Sequence, residues 1–191
     1  MKKLTFVTFL LLYASALFSQ ETTSVEKSIW GVQIGINPIG VYNESRLTND
    51  ISLRSEVGFG YGFSDDYWAV LPQLMVEPRY YYNLNRRSGK NKQIRNNSGN
   101  YLSLNASYLS GDLAIKSEGV VVHPSISIIP MYGLRRNMGA HFNFEFACGL
   151  GYGWTFKDYT STNLLTQESY SVKETDKGIT FGIRLAVGLV F

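Results

Sequence analysis

The chain has 191 residues, a length suited to one domain; 45% of them are hydrophobic, 17% are charged, and the formal charge is +3. Its single cysteine, Cys148, excludes an intramolecular disulfide, and the charge falls to +1 once Lys2 and Lys3 are set aside, which argues against nucleic acid as a partner. Eighteen glycines beside eleven Phe, thirteen Tyr and three Trp are odd for a helical domain and suit a closed sheet.

The first segment, residues 1–20, reads as a secretory signal peptide: Lys2 and Lys3 make a basic start, residues 4–18 an apolar run, and small residues follow. Ala14-Ser15-Ala16 is one cleavage site, and Ser19 or Gln20 another. The run is shorter than the ~20 apolar residues a membrane-spanning helix needs. No Cys lies near its end, which argues against a lipid-anchored form, and no later segment approaches a spanning helix in length.

From residue 21 to 191 the pattern is a period of two, the signature of strands with one apolar and one polar face. Trp30, Val32, Ile34 and Ile36 alternate with Gly31, Gln33, Gly35 and Asn37 in a first strand that Asn37-Pro38 breaks. A shorter second strand is expected over 39–47, and Thr48-Asn49-Asp50 supplies a tight turn. Residues 51–63 form the clearest strand, with Ile51, Leu53, Val57, Phe59, Tyr61 and Phe63 opposed to Ser52, Arg54, Glu56 and three glycines. After a loop at Ser64-Asp65-Asp66, a fourth strand over 70–84 sets Leu74, Val76, Tyr80 and Tyr82 against Gln73, Glu77 and Arg79. A polar, basic turn over 85–100 leads to a fifth strand over 101–109, and a loop over 111–119 to a sixth over 120–134. Residues 135–139 are expected to turn. In the seventh strand Phe142, Phe144, Phe146, Cys148, Leu150, Tyr152 and Trp154 oppose His141, Asn143, Glu145 and three glycines. A long polar loop over 155–177 precedes the last strand, whose outward residues run Ile179, Phe181, Ile183, Leu185, Val187, Leu189 and Phe191.

Eight antiparallel strands with a greasy outer and a polar inner parity describe an all-β, up-and-down transmembrane barrel, since only closed strands leave no backbone group unpaired in lipid. The reading depends on residues 30–47 forming two strands; if they form one, a strand must lie within 164–174 and the middle turns change sides. Two patterns support the eight-strand register. Pro72, Pro78, Tyr80 and Leu84 before Arg86-Arg87 parallel Pro124, Pro130, Tyr132 and Leu134 before Arg135-Arg136, so strands four and six should run the same way. Outward aromatics also cluster at two rims, as membrane interfaces favour. The prolines run against it, because each removes a ladder hydrogen bond from a sheet without edges; bulges are one way to absorb the loss.

The inner parity collects Glu44, Arg46, Arg54, Glu56, Glu77, Arg79, Glu145 and Arg184, four acids and four bases. An eight-stranded barrel is just wide enough for side chains to fill it, and buried charge is tolerated when paired. An ion-pair plug is therefore expected rather than a selective pore or proton path. On the signal peptide, the alternation over 51–63 and the terminal Phe191, the chain resembles the small eight-stranded outer-membrane proteins of the OmpA/OmpX kind. That resemblance implies an integral outer-membrane location, lipid as surroundings, and engagement of the barrel assembly machinery through the C-terminal strand, with Phe191 as its signal. It implies no cofactor and a non-enzymatic role in envelope structure or in loop-mediated interaction; a narrow channel for small solutes and a lipid A-modifying enzyme are the alternatives.

The chemistry-bearing residues fit the enzyme poorly. His123-Pro124-Ser125 is similar to the His-x-Ser element of outer-membrane lipid A deacylases, but Pro124 departs from it and Asn137 stands where an acid should orient the His. His141 lies beside Asn143 and Glu145, a polar interior setting, and two His with one outward Cys give no metal-ligand spacing. Gly58-Phe59-Gly60-Tyr61-Gly62 and Gly149-Leu150-Gly151-Tyr152-Gly153 lack the strand-to-helix context of phosphate loops and are expected to make room in a narrow barrel. Arg86, Arg87, Lys90, Lys92 and Arg95 form a basic turn, most simply solvated, with lipid phosphate or a periplasmic polymer as the other reading.

Overall fold

The computed structural model describes residues 23–36, 39–64, 67–162 and 169–191. The proposed signal segment, Asn37-Pro38 and Asp65-Asp66 lie outside these residues. The described chain is nearly all antiparallel sheet. Strands β1 (Ser28–Ile36) and β2 (Ile39–Arg46) are followed by β3 (Ile51–Phe63) and β4 (Trp68–Tyr80). A short helix α1 (Leu84–Ser88) and a 3-10 turn (Arg95–Asn97) precede β5 (Asn100–Leu109) and a two-residue strand β6 (Ile115–Lys116). Then come β7 (Ser125–Met138), β8 (Phe142–Thr162) and β9 (Ser169–Val190).

Each long strand pairs with its neighbour in sequence, and β1 pairs with β9 from Gly31 opposite Val190 to Ile36 opposite Leu185. The eight long strands thereby close into a ring, with β6 added only to β4 at Ala69 and Val70. Residues 30–47 form two strands, and β4 and β7, both neighbours of β5, run the same way as the proline repeat requires. The ring has two distinct ends. One holds the start of β1 and the finish of β9 together with the turns 47–50, 81–99 and 139–141; the other holds the remaining links. At the first end Thr48 Oγ1 accepts from the Ile51 amide at 3.1 Å, and Gly139 takes φ of +75°, a left-handed turn conformation that a Cβ would strain.

Four boundaries differ from the sequence expectation. The fourth strand stops at Tyr80 instead of residue 84, because Tyr81 and Leu84 turn inward to pack under the barrel and α1 follows. The sixth long strand, β7, begins at Ser125 rather than 120 and runs through Met138, so 135–138 is strand and the turn is 139–141. The loop over 111–119 carries β6. Most of 155–177 is also strand: β8 and β9 stay paired out to Thr162 opposite Ser169, well past Thr155, the last β8 residue to pair with β7. That extension is a two-stranded ribbon, and a ribbon wetted on both faces needs no apolar alternation. Within it Lys157 pairs with Asp176, Tyr159 donates to Glu174 at 3.0 Å, and Ser171 donates to Asp158 at 2.8 Å.

Pro78 and Pro130 are accommodated without bulges. Pro78 keeps its place opposite Leu53 of β3, while the β4–β5 ladder skips from Val76 to Arg79 and resumes in the same register. Pro130 likewise stays opposite Leu104 of β5, and the β7–β8 ladder skips from Ile128 to Met131. Each of these two prolines interrupts one of its ladders over two residues and leaves the other intact.

Glycines make room for two buried tyrosines. A Cβ on Gly133 would lie 2.2 Å from Tyr101 Cζ, and one on Gly31 would lie 2.7 Å from Tyr42 Cζ. Replacing Gly133 by Val must therefore push the Tyr101 ring from its site and break its hydrogen bond to Glu145, combining overpacking with a buried unpaired hydroxyl. The expected loss is about 2–4 kcal/mol in urea unfolding. Gly178→Val, where a Cβ would meet nothing within 4 Å, is the control. Equal midpoints for the two variants would contradict this account.

Candidate functional site: the charged interior

Every long strand sends a polar side chain to one cluster inside the half of the barrel that contains the strand termini. β1 contributes Gln33, β2 Glu44, β3 Arg54 and Glu56, β4 Glu77 and Arg79, β5 Tyr101 and Ser103, β7 Arg135, β8 Glu145 and β9 Arg184. The sheet's two-residue period puts them on the inner face. The four carboxylates and four guanidiniums among them are all buried, so the interior is electrically balanced.

Glu145 is the hub. It accepts from Arg79 Nη2 at 2.7 Å, Arg135 Nη2 at 2.7 Å, Arg184 Nη1 at 3.1 Å and Arg54 Nη1 at 3.4 Å, and from the Tyr101 hydroxyl at 2.9 Å. Glu44 accepts from Arg135 Nη1 at 2.8 Å, Ser52 Oγ at 2.7 Å, Tyr81 at 2.9 Å and Asn97 Nδ2 at 2.7 Å. Glu77 bridges Arg79 and Arg184, each at 2.8 Å, and takes the Ser103 hydroxyl at 2.6 Å. Glu56 and Gln33 hold Arg54 in a fork, and Arg54 lies over the Tyr42 ring at 3.6 Å. Arg79 stacks over Tyr101 at 4.4 Å.

Of the residues picked out from sequence, Glu44, Arg54, Glu56, Glu77, Arg79, Glu145 and Arg184 meet in this cluster. Arg46 does not: it is half-buried near the end of β2, and its Nε has no hydrogen-bond partner. The fourth base is Arg135, which the sequence pattern places in a turn. A signal for it exists, because extending the outward parity of Ile126, Ile128 and Tyr132 by three residues points Arg135 inward. Tyr42, Tyr81 and Tyr101 also belong to the cluster, although aromatics in this composition read first as membrane-facing.

The two ends of the interior differ. At the terminal end Val25, Tyr81, Leu84 and Tyr101 pack together and are buried, as are Asn96, Asn97 and Ser98 of the adjoining turn. Asn97, in the left-handed region with φ of 58°, accepts the Glu26 amide at 2.7 Å and donates to Glu44, tying the incoming chain to the plug. Toward the other end a cavity of about 390 Å³ opens, lined by Gln73, Asn105, Ser107, Ser127, Thr180 and two methionines among others. Its floor is Arg184, whose Nη2 reaches Met75 Sδ at 2.8 Å.

Each buried carboxylate already accepts from at least one arginine, and no serine, cysteine or histidine adjoins a free base within the cluster. The other candidates are dispersed. Ser125 and Asn137 stand near opposite ends of β7, about 40 Å apart at the rise of a strand, so Asn137 cannot share a site with His123 and Ser125. His141 is exposed at the terminal end, with Nδ1 at 3.3 Å from the Val190 carbonyl oxygen. Among the described residues no group of His, Cys, Asp and Glu is placed to hold a metal ion. The two glycine-rich pentapeptides lie within β3 and β8, on continuous strand.

Comparison of the chain with protein-family models, curated proteins and solved structures finds no match, so its function is read from the geometry.

Removing one partner from a buried ionic network strands the others. Glu145→Ala leaves four guanidiniums around an empty position and should cost about 3–5 kcal/mol in the same unfolding measurement. Lys157→Ala, which breaks an exposed pair, should leave the midpoint unchanged. Similar midpoints for both would mean that the interior network does not hold the barrel.

Proposed function

We propose that the chain is an integral outer-membrane β-barrel of the small eight-stranded OmpA/OmpX kind, non-enzymatic, exported by its N-terminal segment and closed to solutes by its charged interior. Its role is in envelope structure and in presenting the β8–β9 ribbon outside the membrane. The observation that carries this reading is the outer wall. Among the described residues the outward positions of β1, β3, β4 and β5, of β7 up to Leu134, of β8 up to Trp154 and of β9 from Ile179 carry no charge. Large apolar side chains there stand open, Ile179 at 83% and Phe181 at 61% among them. A continuous belt of that kind far exceeds the few hundred Å² of apolar patch a water-soluble monomer tolerates, and hydrocarbon is the solvent that matches it. No helix among the described residues is long and apolar enough to cross a membrane.

Orientation follows from the same scheme. Both strand termini and the basic turn face the periplasm, and the ribbon faces outward, where long links carry interaction on rigid barrels. Phe191, outward and exposed, is the contact offered to the barrel assembly machinery.

The test uses nitroxide labels on a Cys148→Ser background. Labels at Val57 and Phe146 should report acyl-chain contact after refolding into vesicles, and a label at Ser107, on the inner parity, should not. Water contact at Val57 and Phe146 would refute the membrane reading. Planar-bilayer recordings should lack discrete current steps, and regular steps would replace the plug with a channel. Lipid A mass spectra should be the same with and without the protein; a changed acyl pattern would point to an enzyme.

A further inference from the structure

The basic turn and the outer wall meet in a second concavity, of about 310 Å³, at the rim where the strand termini lie. Arg86, Arg87, Lys90, Lys92 and Arg136 line it with Tyr82, Asn83 and Asn100, and no carboxylate is among its lining residues. Two of these cations are fixed in place by neutral acceptors. Arg136 donates to the carbonyl oxygens of Gly99 at 2.9 Å and Arg135 at 2.7 Å, and to Asn100 Oδ1. Arg87 donates to the Gln93 carbonyl oxygen at 2.9 Å, while its Nε is buried without a partner. Burial and the neighbouring Arg136 charge pull Arg87 below its ordinary range. The contrast with the interior is direct: there every guanidinium meets a carboxylate, and here five cations converge on a space without one.

The geometry points to a binding site for a phosphate group, supplied by an anionic phospholipid of the periplasmic leaflet. Guanidiniums in fixed orientation suit phosphate oxygens, and lysines add mobile charge. A lipid is favoured over a free anion because the pocket is continuous with the wall. Asn100 Nδ2 donates to the Tyr132 hydroxyl at 2.8 Å and to that of Tyr82 at 3.2 Å, and exposed Tyr80, Tyr82, Tyr132 and Leu102 lead from the cations to the apolar belt. Tyrosine hydroxyls at the edge of such a belt lie at headgroup depth. The site thus presents charge to a headgroup and greasy surface to its chains. The inference rests on the membrane reading, and its test separates the two.

The full chain is reconstituted in phosphatidylcholine vesicles containing trace spin-labelled phosphatidylglycerol or spin-labelled phosphatidylcholine. The expected result is preferential association of the phosphatidylglycerol label, reduced about tenfold in Arg86→Gln/Lys90→Gln/Lys92→Gln, whose replaced side chains are exposed and outside the strands. Arg136→Lys should retain part of the preference and Arg136→Gln should not. Lys157→Gln/Lys173→Gln/Lys177→Gln, removing equal charge from the ribbon, should change nothing. Equal loss in both triple variants would reduce the effect to net charge and overturn the site. Absence of any preference in wild type overturns it too, while leaving the barrel in its membrane. In a second arm, inorganic phosphate is titrated onto detergent-solubilised protein. Tight phosphate binding without lipid preference would replace the lipid with a soluble anion. Failure to enter neutral phosphatidylcholine vesicles at all would remove the membrane reading and the lipid together.

Discussion

Glu145 receives four guanidinium groups from four different strands, and that convergence constrains the whole molecule. Arg54 arrives from β3, Arg79 from β4, Arg135 from β7 and Arg184 from β9, so none of these four strands can slide by two residues against β8 without stranding a charge. A one-residue slip is worse, since it would turn the whole set of inward charges outward. Buried ion pairs add little net stability compared with apolar side chains of the same volume, because desolvation consumes most of their attraction. What the cluster contributes is register: it penalises every closure of the ring except one. Backbone ladders alone are less discriminating, as the gaps at Pro78 and Pro130 make plain.

Neutrality is part of that constraint. Four acids within one narrow barrel need four bases close enough to share hydrogen bonds, and Arg135 supplies the fourth. Arg46 has the right parity but sits at the last residue of β2, where its side chain is half-buried rather than enclosed. The plug is also asymmetric along the barrel. Tyr81, Leu84, Val25 and Asn97 seal it from the terminal side, whereas the cavity above Arg184 stays open. The charged cluster thus occupies the interior over the same span in which the strands are held together.

The architecture was legible in the sequence because the strands of a closed ring with an apolar outer wall and a charged interior must obey a strict two-residue rule. Where both faces of a strand are dictated, by the apolar wall outside and by the charge network inside, the alternation is clean; β3 and the first half of β8 are such strands. Where the dictation stops, the sequence goes silent. The ribbon beyond Thr155 is wet on both faces, so Lys157, Asp158, Lys173 and Glu174 read as loop while the backbone remains paired. At 81–84 the apolar residues continue the strand pattern, yet they serve the seal below the plug. Arg135 is hidden differently. Two adjacent arginines after a leucine resemble a turn, and recognising one as buried requires knowing that Glu44 and Glu145 lie within reach, 91 and 10 residues away in the chain.

The same alternation acts at its smallest scale in Arg135 and Arg136. They have identical side chains on one strand, and they differ by one position in a period of two. Arg135 points into the ring, loses all contact with water, and is matched by Glu44 and Glu145. Arg136 points to the rim, where carbonyl oxygens hold its guanidinium but no carboxylate answers its charge. Neutralising the interior charge is a condition of folding, because an unmatched ion in that space would be stripped of its water at high cost. An unmatched ion at the rim is stable in contact with water and acquires a partner only from outside the protein. One-residue alternation along β7 therefore divides a charge that completes the fold from a charge left available for binding.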